Sequence, residues 1–314
     1  MKKILSLILS VIICLPFCAC SKKNEDETLK VICTIFPQYD FVREIAGDCV
    51  SVEMLLPFSV ESHDFSFDSL TVAELKKVAS ADLFIYIGGP SDNDWVEELK
   101  RTVKNDKTEY LPLLSATECL AEELSNHSEH DGHDHSNDEN IDEHIWTSPK
   151  RAIEIVNLIE EKLCQLDAEN SDIYKQNAND YKAELLKADQ ELVALTPNAT
   201  KLIFADRFAF RYLCYDYGFS YEAAFPGCSA ATDPSVAQIA FLTKSAKDSN
   251  AKSIFYLENS EPSFAQNVAN SCNAKAVMLH SGHTVSKKDF QDGISYLSIL
   301  KSNIKKISEA LKEQ

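Results

Sequence analysis

The 314-residue chain predicts an α/β fold of two lobes, each a parallel sheet flanked by helices, joined by a long rigid linker helix. Three observations carry this expectation. Short β-branched runs alternate with helical stretches from Leu29 to Leu114. The same strand-and-helix cadence returns from Lys201 onward, and an uninterrupted polar helical stretch, Ser171–Leu195, lies between the two. Strands separated by helices of this length form βαβ units, whose strands must run parallel.

Taken in order, Leu29–Phe36 reads as a strand and Tyr39–Asp48 as a helix. A second strand, Val50–Pro57, ends just before Glu61-Ser62-His63-Asp64. Helix Thr71–Asp82, strand Leu83–Gly89, helix Asp92–Asn105 and strand Thr108–Leu114 follow. Ser148-Pro149 marks a helix start, since serine can cap and proline is tolerated at the first helical position; that helix runs to Leu166. The next helix, Ser171–Leu195, carries Ile173, Tyr174, Tyr181, Leu185, Leu186 and Ala188 and stops before Pro197. At ~1.5 Å per residue it spans roughly 35–40 Å, enough to run the length of a domain. Lys201–Phe204, Tyr221–Phe225, Ala251–Glu258 and Ala274–Leu279 read as strands. The helices between them fall around Arg207–Tyr217, Pro234–Lys247 and Phe264–Cys272, and a final helix covers Phe290–Lys312. The resulting division is a signal peptide at 1–19, a tether at 20–28, a first lobe at 29–166 with a histidine-rich loop at 122–143, a linker helix at 167–196 and a second lobe at 197–314.

An apolar fraction of 45% marks a globular chain, and a formal charge of -18 argues against nucleic acid, because polyanions are repelled. The same charge suits a cationic partner. Lys2 and Lys3 precede an apolar run, Ile4–Phe17, that is short for a membrane span and ends in Phe17-Cys18-Ala19-Cys20. This reads as a bacterial export signal with lipidation at Cys20, the alternative being an ordinary cleaved signal. It places the protein outside the cytoplasm, held to the membrane by its lipid. The seven cysteines beyond Cys20 include no CxxC pair and match no zinc knuckle, so most are expected as buried small apolar residues. A Cys228–Cys272 disulfide is left open.

The histidines are distributed unevenly. Asn126–Trp146 holds five of the eight, interleaved with seven acidic residues and no lysine or arginine. The others are His63, His280 and His283. Ligands in open α/β sheets collect beyond the carboxyl ends of the strands. His63 lies a few residues past one strand, His280 and His283 follow another, Asp206 follows a third, and His144 sits in the loop after a fourth. A lone histidine is more often a hydrogen-bonded surface residue. Several at strand ends, with almost none elsewhere, point instead to a shared metal ion. Nitrogen donors with an optional carboxylate suit Zn²⁺ best, with Mn²⁺ behind it. His127, His130, His133 and His135 lie in a segment without apolar periodicity, which reads as an exposed flexible loop and a weak accessory cation collector.

Several motifs resemble those of the zinc/manganese ABC-transporter solute-binding lipoproteins, zinc-uptake type. Leu55-Leu56-Pro57 followed by Ser62-His63-Asp64-Phe65 resembles that family's first ligand motif, and Asp142-Glu143-His144-Ile145-Trp146 its second. Ala81-Asp82-Leu83 with Gly88, and Gly293–Tyr296 with Asn303, resemble two further signatures, and the acidic histidine loop is a mark of the zinc-type members. The resemblance covers essentially the whole mature chain. It implies a third ligand at Ala205, which cannot bind metal, and a fourth at His280, where the family carries aspartate. The implied ligands are therefore His63, His144 and His280, with His283, Asp206 or water completing the shell.

The expectation is a monomeric extracytoplasmic lipoprotein that captures Zn²⁺ between its lobes and delivers it to an ABC-transporter permease, without catalysis. Alternatives are a manganese-binding protein of the same type or a surface adhesion lipoprotein with a structural metal. A zinc hydrolase is disfavoured because the chain has no HExxH motif.

Overall fold

The computed structural model describes residues 28–123, 141–195, 201–227 and 234–313. Chain order begins with β1 (Leu29–Cys33), α1 (Phe36–Ala46), β2 (Val50–Met54), α2 (Val72–Ala79), β3 (Leu83–Tyr86), α3 (Asn93–Val103) and β4 (Glu109–Pro112). These strands form a parallel sheet in the order β2-β1-β3-β4, with Leu29 opposite Val50 and Val31 opposite Leu83. All four residues of β3 are buried, as expected for a strand covered on both faces.

Two long helices follow, α4 (Pro149–Leu166) and α5 (Ser171–Leu195). The second lobe contains β5 (Leu202–Phe208), α6 (Arg211–Tyr217), β6 (Tyr221–Pro226), α7 (Val236–Asp248), β7 (Ser253–Leu257), α8 (Ser263–Cys272) and β8 (Lys275–Leu279). Its sheet, β6-β5-β7-β8, is also parallel and repeats the strand order of the first. In both sheets the order reverses beside the first strand, and the crevice beyond the carboxyl ends at such a point is where ligands collect. The described chain closes with α9 (Lys287–Gln291) and α10 (Tyr296–Lys312).

Helix α5 buries Tyr174, Ala178, Tyr181, Leu185, Ala188 and Leu192, one residue every three or four, which is a single stripe along one face. That stripe packs on α4, on α1 of the first lobe and on α10 of the last segment. One continuous apolar core consequently includes residues of both sheets, from Val31 to Leu311, with a smaller cluster around Ile203, Leu242 and Val268. A shared core of this kind limits relative lobe movement, because packed interfaces slide only slightly.

Three local details differ from the sequence expectation. The final helix is divided: Gly293 takes φ +80°, which favours glycine and ends α9, and α10 then starts on its own cap at Ser295. Ser148 does not cap α4; its hydroxyl donates to Asp216 Oδ2 at 2.6 Å. Strand β5 continues to Phe208 through a register shift between Phe204 and Arg207, where the sequence suggested a helix from Arg207. A charged Asp-Arg pair looks unsuited to a buried strand. Here Asp206 accepts from backbone amides within its own lobe and Arg207 pairs with Glu61 of the other lobe, and their burial follows.

The segment holding His127, His130, His133 and His135 lies outside the described residues, as do Cys20 and Cys228. On either side of that segment, Ala121 and Ile141 form an antiparallel bridge. Cys272 is a free thiol. Among the described residues no helix is long and apolar enough to cross a membrane.

Candidate metal centre

Past β2 the chain stays beside β1, with Leu55 N donating to Cys33 O and Leu56 N to Thr34 O, and then makes a short turn at Ser62–Asp64. This turn presents His63, whose side chain is 8% exposed. From the second lobe, the loop after β8 brings His283 to the same place. Ser62 N donates to His283 Nε2 at 3.2 Å, and Ser62 Oγ lies 2.9 Å from that nitrogen. An amide can only donate, so His283 Nε2 is an acceptor and the proton of the neutral ring sits on Nδ1.

The third imidazole is His144, ahead of a short turn that leads into α4. Asp142 Oδ1 accepts its backbone N–H at 2.9 Å and lies 3.2 Å from Nδ1. A carboxylate against Nδ1 fixes the proton there and leaves Nε2 with its lone pair directed elsewhere, the usual support for a metal-binding histidine. Gly227 leaves the room this requires: a Cβ at that position would come within 2.9 Å of His144 Cε1 and 2.8 Å of Phe208 O. Tyr212 OH anchors the loop, donating to Asp142 O at 2.9 Å and accepting from Leu120 N at 3.0 Å.

The three rings form a row with His283 in the middle, 5.4 Å from His63 and 5.6 Å from His144 between centroids. Trp146 packs on two of them, at 5.5 Å from His144 and 5.3 Å from His283, and its Nε1 donates to Ser281 O at 2.9 Å. Glu61 adds a carboxylate, its Oε2 lying 2.7 Å from His63 Nε2. Donor atoms of Glu61, His63 and His283 all fall within 4.8 Å of one another, and His144 stands beside that group through its ring contact with His283.

Burial and neighbouring charges tune these groups differently. Burial, reinforced by His144, His63 and Arg207, pushes His283 well below the ordinary imidazole range, so it is neutral at physiological pH. His144 also suffers burial, but Asp142 outweighs it and the net shift is upward. Glu61 is raised by burial and lowered more strongly by His63, His283 and Arg207, leaving it ionised. A neutral imidazole and an ionised carboxylate are the forms that coordinate metal.

His280, expected in the cluster from its place after β8, is located elsewhere. Its backbone is clamped by Asn303, with Oδ1 accepting from His280 N at 3.0 Å and Nδ2 donating to His280 O at 2.7 Å. Its Nδ1 accepts from Gly282 N at 3.0 Å and lies 3.2 Å from Glu258 Oε1. The ring borders a recess with Trp146, Phe210 and Tyr296. Asp206 is also engaged, its two oxygens accepting from Arg207 N at 2.7 Å and Leu257 N at 2.8 Å. Its role in this geometry is to tie β5 to β7. Ala205 is buried in β5. Sequence reasoning missed Glu61 and Arg207; a carboxylate two residues before His63 was a visible signal, whereas nothing local marked Arg207.

Comparison with known proteins agrees with this architecture. A family model described as "ZnuA: Zinc-uptake complex component A periplasmic" matches residues 31–310. The zinc-binding lipoprotein AdcA of Streptococcus pneumoniae is 28% identical over 316 residues, covering 100% of this chain and 62% of AdcA, so the chain spans less than two thirds of that relative. The high-affinity zinc uptake system protein ZnuA of Bacillus subtilis is 28% identical over 292 residues, covering 93% of this chain and 90% of its own length. The crystal structure of the Zn(II)-bound ZnuA-like domain of S. pneumoniae AdcA has a TM-score of 0.73 at 24% identity, covering 91% of this chain and 100% of that domain, and shares the fold. With two matching parallel sheets and a family match over most of its length, the chain belongs to the family of zinc-uptake complex component A.

Proposed function

We propose that this chain is an extracytoplasmic receptor that captures one Zn²⁺ in the cleft between its lobes and delivers it to an ABC-transporter permease. The observation that carries the reading is the meeting of Glu61, His63 and His283, drawn from both lobes with donor atoms within 4.8 Å of one another, and the His144 ring from a third segment 5.6 Å from that of His283. These four would hold the ion. His280 and Asp206 would support the surrounding loops. Three imidazoles and one carboxylate match zinc's preference for nitrogen-rich tetrahedral shells, whereas Mn²⁺ favours oxygen. The site binds and releases an ion and performs no catalysis.

Attachment through a lipid on Cys20, accessory collection by His127, His130, His133 and His135, and action as a monomer complete the proposal. The shared core supports modest closure on ion binding, not a wide hinge, and an ion drives such closure only by binding the closed form more tightly.

Zinc titration against a competing chelator tests the function. The expected result is one tight ion per chain, removed by excess chelator while the circular dichroism spectrum of the folded chain persists. Absence of saturable zinc binding would reject it.

Proton release offers a second test. His144 holds its proton to a pH above the ordinary value of about 6.5. Zinc must expel that proton, so affinity weakens as pH falls through the raised value. His283 is already neutral and releases none near pH 7. Asp142→Asn is expected to reduce the proton release, read from calorimetry in buffers of different ionisation enthalpy, and to weaken binding by roughly 10–100-fold. Unchanged release in the variant would remove Asp142 from this role.

A further inference from the structure

Arg207 lies against two of the groups that would coordinate the ion. Its Nη1 is 2.6 Å from Glu61 Oε2 and 3.1 Å from His63 Nε2, and its Nη2 is 3.1 Å from Glu61 Oε1. A guanidinium has five donors, no lone pair to offer and a permanent charge, so it cannot be a ligand. It competes with an ion for the same carboxylate and the same imidazole.

The hydrogen-bond roles in this triangle conflict. Glu61 Oε2 is 2.7 Å from His63 Nε2 as well as 2.6 Å from Arg207 Nη1. If Nε2 carries a proton and donates to Glu61, Arg207 meets it donor to donor. If Nε2 is bare, its lone pair faces the lone pairs of the carboxylate. The opposite nitrogen gives no relief, because His63 Nδ1 is buried without a partner, as is Arg207 Nε. A metal ion in place of the guanidinium would accept from both Glu61 and His63 and remove the conflict.

We propose that Arg207 is a resident counter-cation: it holds Glu61 in the ion-free form and must swing off that carboxylate before a divalent ion can be seated. The inference deepens the zinc-receptor reading and rests on it. Space for the swing is present. A cavity of about 640 Å³ borders Arg207 and is lined by the carboxylates of Glu61, Asp64, Asp206 and Glu261 and by Asn259. The exposed acids Asp64 and Glu261 offer the displaced guanidinium new acceptors.

Seating an ion while Arg207 stays would place like charges a few ångström apart among largely buried side chains, where their repulsion is less screened than in bulk water. Displacement therefore accompanies binding, and its cost is the same for every divalent ion. Arg207 leaves the ratio of zinc to manganese affinity unchanged but lowers both, so that weaker binders fall below useful occupancy. The Glu61–Arg207 pair also spans the two lobes, which links its breaking to ion entry.

The test is Arg207→Met, which keeps an unbranched stem and removes the charge. Chelator competition on the full chain should show zinc and manganese affinities rising by the same factor, about tenfold or more, the range expected when a charge-assisted pair no longer has to be broken. Equal or weaker zinc affinity in the variant, with wild type binding normally, overturns this inference and leaves the receptor reading standing. No zinc binding by either protein overturns both. Should the variant fail to fold, a crystal structure of the zinc-loaded wild type decides: Arg207 off Glu61 supports the proposal, and Arg207 still paired with Glu61 overturns it.

Discussion

His283→Ala lowers zinc affinity by at least about 100-fold, above the 10–100-fold typical of groups that only orient a ligand. His63→Ala and His144→Ala are expected to do the same. His280→Ala is the contrast: affinity stays within a few-fold of wild type. Its cost appears as lost stability, on the order of 1–3 kcal/mol, because the partly buried Glu258 loses one partner while keeping those from Ser281 N and Ser281 Oγ. Competition titrations and urea melts of the four variants check this pattern. If His280→Ala abolishes binding while His283→Ala does not, the ligand set built around the His63–His283–His144 row is wrong.

Trp146→Ala loses about 3–5 kcal/mol of stability and weakens zinc binding at the same time. Its indole is fully buried between His144 and His283, and its only polar atom donates to Ser281 O across the lobes. Truncation would leave a void behind two proposed ligands and strand a buried carbonyl. Tyr296 OH also donates to Trp146 O, so the backbone here ties α10 to the loop before α4. Trp146→Phe retains most of the packing and loses the hydrogen bond, costing about 1–3 kcal/mol. Denaturant melts in the presence of chelator separate these costs from zinc linkage. A Trp146→Ala cost under about 1 kcal/mol, the scale of an ordinary surface change, would show that the indole is not holding the cleft together.

The strand-and-helix order was readable because it depends on local patterns. Runs such as Leu83–Tyr86 are buried on both faces and therefore continuously apolar. The buried stripe of α5 is legible in the spacing of Tyr174, Tyr181, Leu185 and Ala188. His63 and His144 could be singled out because each sits in a distinctive short motif, one past β2 and the other in the loop ahead of α4. His280 and His283 are three residues apart, and choosing between them requires knowing how one loop turns. Gly282 at φ +77° and the Asn303 clamp direct His280 towards Glu258 and let His283 face the opposite lobe.

The sequence by itself determined two α/β lobes, the helix between them and a concentration of imidazole at strand ends, because hydrophobic period and residue type are properties of neighbours along the chain. Only the tertiary structure decided that His283 joins His63 and His144, that Glu61 faces them, and that Arg207 lies on Glu61 from 146 residues away. Those contacts depend on how two separately built lobes dock, and a burial penalty relieved by a partner in the other lobe leaves no trace in the local pattern of either.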